Sequence, residues 1–230
     1  MTALQIFLEL LVGFGSTLIL FVATVVLALP LGLLVSFLSM SKIKPIRMIT
    51  TFFISIIRGT PLMLQLVVIY YGPGLIFGPE VGFKGISLFG VELIRSDRMI
   101  AAIVAFVINY SAYFSEIFRG GIESISKGQY EAGMVLGLKK GQIFRHVILL
   151  QVIKNIVPPT GNEIITLVKD TSLANTIAVS ELMFIADRMR KTTGGGLWPL
   201  LASGAFYFVF NALVAFILKK IEKKLEYIKV

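Results

Sequence analysis

The chain has 230 residues, 56% of them hydrophobic and 15% charged, with a mean hydropathy of +0.87; a soluble domain is roughly 45–50% apolar, so an ordinary water-facing surface is excluded. Its 22 Lys and Arg against 13 Asp and Glu give a formal net charge of +9, and the positive charges sit in short stretches between apolar runs, as in cytoplasmic loops and unlike a nucleic-acid-binding face. With no cysteine and one histidine, His146, the chain has no disulfide framework, thiolate zinc site, cysteine nucleophile or histidine metal cluster.

A bilayer core of about 30 Å takes roughly 20 apolar residues as helix. Five such runs follow in order. The first, residues 10–38, is almost unbroken, with Pro30 and Gly32 as an expected kink. No Lys or Arg precedes Lys42, so a cleavable signal peptide is not expected. The second, residues 49–71, carries Arg58 and Pro61, so its beginning reads as an interfacial elbow. The third covers residues 98–118, and the fourth, residues 146–168, is the most polar. The fifth, residues 198–218, follows the turn Gly194-Gly195-Gly196 and opens on Trp198, an interfacial anchor. There is no internal repeat. An all-α integral membrane fold of five helices is expected, as a single transmembrane domain over residues 1–230.

Short-loop Lys and Arg set the orientation. The first connection holds Lys42, Lys44 and Arg47, the third holds Arg119, Lys127, Lys139, Lys140 and Arg145, and the tail holds Lys219, Lys220, Lys223, Lys224 and Lys229. These regions are predicted cytoplasmic. The second connection mixes Glu80, Lys84, Glu92, Arg95 and Asp97, and the fourth also mixes signs, so both are predicted external. The N-terminus then lies outside and the C-terminus inside.

No Gly-x-x-x-x-Gly-Lys-Ser/Thr phosphate loop and no nucleophile-base pair is present, so the chain is not expected to be an enzyme or to carry a cofactor of its own. The third connection, residues 121–145, includes a stretch from Glu131 to Leu136 with helix-favouring character, stopped by Gly137 or Gly141. A short helix parallel to the membrane there would present Ala132, Val135 and Leu136 to a partner groove, or serve as an ordinary amphipathic connector.

Glu131-Ala132 followed by Gly137 resembles the cytoplasmic coupling loop of permeases in ATP-binding-cassette importers, Glu-Ala-Ala-x-x-x-Gly with Ile-x-Leu-Pro behind it. Gly133 replaces the second Ala, and Leu150 stands where the Pro is expected. Arg58-Gly59-Thr60-Pro61-Leu62 with Gln65 and Tyr70-Tyr71-Gly72 resembles the second helix of polar amino-acid permeases. Asn109-Tyr110-Ser111-Ala112-Tyr113 and Glu116-Ile117-Phe118-Arg119-Gly120-Gly121-Ile122 resemble their third helix. Pro158-Pro159-x-Gly161-Asn162-Glu163 and Lys169-Asp170-Thr171-Ser172-Leu173 resemble their fourth helix and its exit. The resemblance covers residues 15–219. It implies a histidine/arginine/glutamine/cystine-type permease of the bacterial cytoplasmic membrane. It also implies an identical or homologous second permease, an ATPase dimer that holds ATP and Mg, and an external solute-binding protein. Glu131, Ala132, Val135, Leu136 and Gly137 would couple to the ATPase.

The candidate substrate site rests on the fourth helix. Pro158, Pro159 and Gly161 predict a break at membrane depth, and such breaks are tolerated only against protein or a water-filled cavity. Glu163, Thr166 and Asp170 share one face beyond it. A carboxylate within the bilayer costs at least about 2.5–3.5 kcal/mol unless paired, so Glu163 faces a cavity or a cation. In an amino-acid carrier Glu163 would receive the substrate ammonium, Asn109 and Ser111 would add hydrogen bonds, and Lys169 or Arg58 would meet the carboxylate. Asn162 completes the set. The alternative is an internal pair of Glu163 with Lys169 or Arg58 that only stabilises the bundle. Glu116 and Arg119 are expected to form a salt bridge or a dock for the coupling loop. Two rival functions are an ion-coupled secondary transporter and a non-transporting membrane subunit.

Overall fold

The computed structural model describes residues 3–78, 81–83, 86–88, 91–94, 97–192, 194 and 196–226; Glu80, Lys84, Arg95, Gly195 and Lys229 lie outside them. Helix α1 (Ala3–Ser39) contains Pro30 without ending there. The expected second span is instead two helices, α2 (Lys44–Gly59) and α3 (Leu62–Phe77), bent by 107°. The cause is local. Pro61 has no N–H to offer the Ile57 carbonyl, and its ring drives Thr60 into extended backbone at φ −118° and ψ 145°.

A short antiparallel hairpin, β1 (Ile86–Leu88) with β2 (Val91–Ile94), lies in the second connection. The rest of the described chain is helical: α4 (Asp97–Glu123), α5 (Lys127–Val135), α6 (Lys140–Ile143), a π-helical turn (Phe144–Ile148), α7 (Leu149–Asp170), a 3-10 helix (Thr171–Ile177), α8 (Leu182–Thr192) and α9 (Trp198–Glu226).

The break predicted at Pro158 and Pro159 is absent, and α7 runs through both residues. Proline's fixed φ of about −65° is already helical. Two adjacent prolines remove neighbouring donors only, and the ladder continues on either side.

Helix α4 is the hub. Ala101, Ala102, Ala105, Ser111, Ala112 and Ser115 are all buried along it. Small residues let membrane helices approach closely where lipid offers no hydrophobic drive between them. The crossing with α1 is tight: a Cβ on Gly32 would lie 2.8 Å from Phe114 Cβ and 3.0 Å from the Ser111 carbonyl oxygen. Phe106, Tyr110 and Phe114 fill the interior beside it. Val168 of α7 packs on Phe210 and Val214 of α9, with Phe14, Leu18 and Phe21 of α1 against them. The outer faces of α1 and α9 leave Val12, Leu34, Phe208 and Val209 exposed, as lipid-facing helices do.

Among the described residues, three helices are long and apolar enough to cross a membrane, over residues 4–39, 97–123 and 198–225, and the bent pair α2–α3 would make a fourth.

Candidate functional site

A polar cavity of about 590 Å³ opens between the α2–α3 elbow, the middle of α4 and the last turns of α7. Arg58, Thr60, Asn109, Tyr110, Tyr113, Glu163, Thr166 and Asp170 line it, with Leu62 and Leu173 as apolar walls. Each element contributes for a reason that can be traced in the chain.

The elbow is held by Gln65, one turn into α3. Its Nε2 donates to the Ile57 carbonyl at 2.8 Å, the bond that Pro61 cannot make. The same amide reaches the Thr60 carbonyl at 3.2 Å and the Thr60 hydroxyl at 2.9 Å. The Thr60 hydroxyl in turn donates to the Ile56 carbonyl at 2.9 Å. The carbonyls freed by the bend therefore stay partnered. Gln65 Oε1 accepts from Asn109 Nδ2 at 3.0 Å, which fixes the elbow to α4.

The remaining walls follow from α4 and α7. Tyr110 donates its hydroxyl to Asp170 Oδ2 at 2.8 Å and joins the two helices. The Arg58 guanidinium stands 5.1 Å from the Tyr113 ring centre and 3.7 Å from Glu116 Oε2. Glu116 is also gripped bidentately by Arg119, at 3.2 and 2.7 Å, and Arg119 reaches Glu123 at 2.7 Å. The expected Glu116–Arg119 pair is present as part of this chain of charges. Among the described residues no hydrogen bond or ion pair reaches Glu163.

The structure brings Glu163, Thr166, Asp170 and Asn109 to one cavity. It does not bring Ser111 or Asn162 there. Ser111 is buried and donates to the Ile108 carbonyl at 2.8 Å. Two residues on from Asn109, it points to the far side of the helix, toward α1. Asn162 is exposed outside the lining. Lys169 is exposed and does not line the cavity, so among the described residues Arg58 is its one lining cation.

Sequence reasoning quoted Gln65, Thr60 and Tyr110 without giving them work. A glutamine four residues after Pro61 is the signal that was available. It missed Glu181, a fully buried carboxylate at the start of α8. Glu181 accepts from the Met183 and Phe184 N–H groups at 2.7 and 2.6 Å and from the Tyr207 hydroxyl at 2.8 Å. Thr17 of α1 closes the same junction by accepting from the Leu182 N–H at 3.2 Å.

Helix α5 ends in a Schellman motif. The Leu138 N–H donates to the Gly133 carbonyl at 3.1 Å and the Gly137 N–H to the Met134 carbonyl at 2.9 Å. Gly137 takes the left-handed φ of 77° that this stop requires. Glu131, Ala132, Val135 and Leu136 are all exposed. The structure also gives a reason for Gly133, since the buried Ile143 occupies the space a second alanine would take.

Apolar helices that enclose a charged cavity, with a cytoplasm-type basic loop and no ATP-binding loop, define a helical membrane transport subunit. Residues 28–227 match the family described as binding-protein-dependent transport system inner membrane component, and the chain belongs to that family. It is therefore the membrane permease component of such a system and not its ATPase. It is 35% identical over 214 residues to the arginine transport system permease protein ArtQ of Bacillus subtilis (strain 168), covering 93% of this chain and 91% of that protein. It is 33% identical over 204 residues to a putative glutamine transport system permease protein, GlnP, of Rickettsia conorii (strain ATCC VR-613 / Malish 7), covering 89% and 87%. A crystal structure of an amino acid ABC transporter with histidines superposes with a TM-score of 0.82 at 32% identity, over 97% of this chain and 100% of that one.

Proposed function

We propose that this permease imports a polar L-amino acid and that the cavity between the elbow, α4 and α7 is its substrate site. The observation that carries the reading is Glu163, a carboxylate lining this cavity of about 590 Å³ with no hydrogen bond or ion pair to protein among the described residues. The substrate ammonium supplies the missing partner. Asp170, Thr166 and Asn109 add acceptors and donors, and Arg58 with the start of α3 receives the carboxylate. Two carboxylates to one guanidinium favour a cationic side chain. The arginine system of Bacillus subtilis is in keeping with this.

In this reading the chain is one domain that crosses the membrane five times, with the N-terminus outside. The crossings are α1, the α2–α3 pair, α4, α7 and α9. Two permeases form the path, an external binding protein delivers substrate, and an ATPase dimer holds ATP and Mg. Helix α5 is the coupling helix, because its exposed Val135 and Leu136, 88% and 78% accessible, suit an apolar groove on the ATPase. ATP drives transport only through different affinities for two states of the assembly, and α5 transmits that difference.

The test is ATPase activity of the reconstituted complex with its binding protein against arginine, lysine, histidine, glutamine, glutamate and cystine. One substrate class should stimulate the wild type, and Glu163→Gln should lose that response. Stimulation that survives the substitution removes Glu163 from the site. Absence of any co-purifying ATPase removes the coupling role of α5.

A further inference from the structure

Among the described residues helix α5 packs only on α6 and the π-helical turn, yet a lever must be stiffly seated to transmit force. The seat is visible. Gly133 is the one buried residue of α5. A Cβ there would lie 2.8, 3.1 and 3.2 Å from Cγ1, Cδ1 and Cγ2 of Ile143. Ile143 is itself fully buried, within a segment whose other residues are largely exposed. The Schellman stop normally adds a side-chain contact at the position Gly133 occupies. Here that position has no side chain, and Ile143 fills the notch.

What Ile143 belongs to gives the contact its meaning. It is the last residue of α6, and the helical backbone continues from it through the π-helical turn into α7. The first turn is fixed by the Lys139 N–H donating to Gln142 Oε1 at 2.8 Å. From Lys140 to Asp170 this is one continuous helical rod, about 45 Å long at ~1.5 Å per residue. Its near end plugs α5 and its far end carries Glu163, Thr166 and Asp170. A second tie, Asn155 Nδ2 to Ser124 Oγ at 2.9 Å, holds the start of the loop to the same rod.

We propose that Ile143, keyed into the notch left by Gly133, is the positioning residue that locks α5 to the α6–α7 rod and so links movement of α5 to the wall of the substrate cavity. This rests on the reading of α5 as the ATPase-facing helix. The notch is sized for no side chain on one partner and a full isoleucine on the other. Overfilling it and emptying it are therefore both disruptive, and a compensating pair restores the seat.

The experiment uses the assembled complex in vesicles and reads arginine transported per ATP hydrolysed. Gly133→Ala overfills the notch and Ile143→Ala empties it. Overpacking and loss of core contact both destabilise such a seat, and where that cost falls on the coupled arrangement of α5, each variant should lower the transport-to-hydrolysis ratio by about tenfold or more. The double substitution should recover the ratio to within about threefold of wild type. A residue that only held the fold would lower assembly yield and both rates together and leave their ratio unchanged. Val135→Asp, on the exposed face, is the control. If Val135→Asp abolishes coupled transport but both single variants keep the wild-type ratio, the key is wrong and the lever stands. If Val135→Asp transports normally, the lever reading fails and the proposal with it. Single variants that lose coupling without recovery in the double variant also overturn it.

Discussion

Replacing Gln65 by leucine keeps the volume of the side chain and removes its polar atoms. The Ile57 carbonyl then has no donor, because residue 61 is proline, and the Asn109 amide loses its acceptor. A buried polar group left unpaired costs about 1–3 kcal/mol, and interhelical hydrogen bonds in membranes average nearer about 0.6 kcal/mol. Gln65 is 8% exposed and Asn109 5%, so little of either side chain meets water. The expected loss is about 2–4 kcal/mol. For a chain of this size that lowers the unfolding temperature of the detergent-solubilised complex by roughly 6–12 °C. The double variant Gln65→Leu with Asn109→Leu has one fewer orphan and should recover about 1 kcal/mol. An unfolding temperature within about 2 °C of wild type for the single variant would refute the role of Gln65 as backbone partner of the elbow.

Gly32→Ala should cost about 1–3 kcal/mol by forcing α1 off the backbone of α4, whereas Gly15→Ala, with nothing within 4 Å of its Cβ, should be neutral or stabilising in the same melt. Glu181→Ala removes both the cap of α8 and the acceptor of Tyr207. It should cost about 2–3 kcal/mol and speed amide hydrogen exchange at Met183 and Phe184; unchanged exchange there would discard the clamp. Because the natural chain has no cysteine, single cysteines report sidedness directly. Lys139→Cys should react with an impermeant maleimide only from the cytoplasmic face and Thr192→Cys only from outside, and the reverse pattern would invert the topology.

Much of this protein was legible in the chain. Membrane residence follows from long apolar windows, because each residue in lipid contributes to transfer energy by itself. The elbow followed from Pro61, because a missing N–H is a property of one residue. The shared face of Glu163, Thr166 and Asp170 followed from the helical repeat. Tertiary structure decided which neighbour each face meets. It placed Asn109 at the cavity and turned Ser111 to α1. It kept α7 continuous through Pro158 and Pro159, where local rules predicted a break. It buried Glu181 in a junction of three helices and set Ile143 into the space beside Gly133. A helix period states direction around one axis, whereas hydrogen-bond partners and packing notches depend on two axes meeting at a particular distance, and that distance exists only in the folded chain.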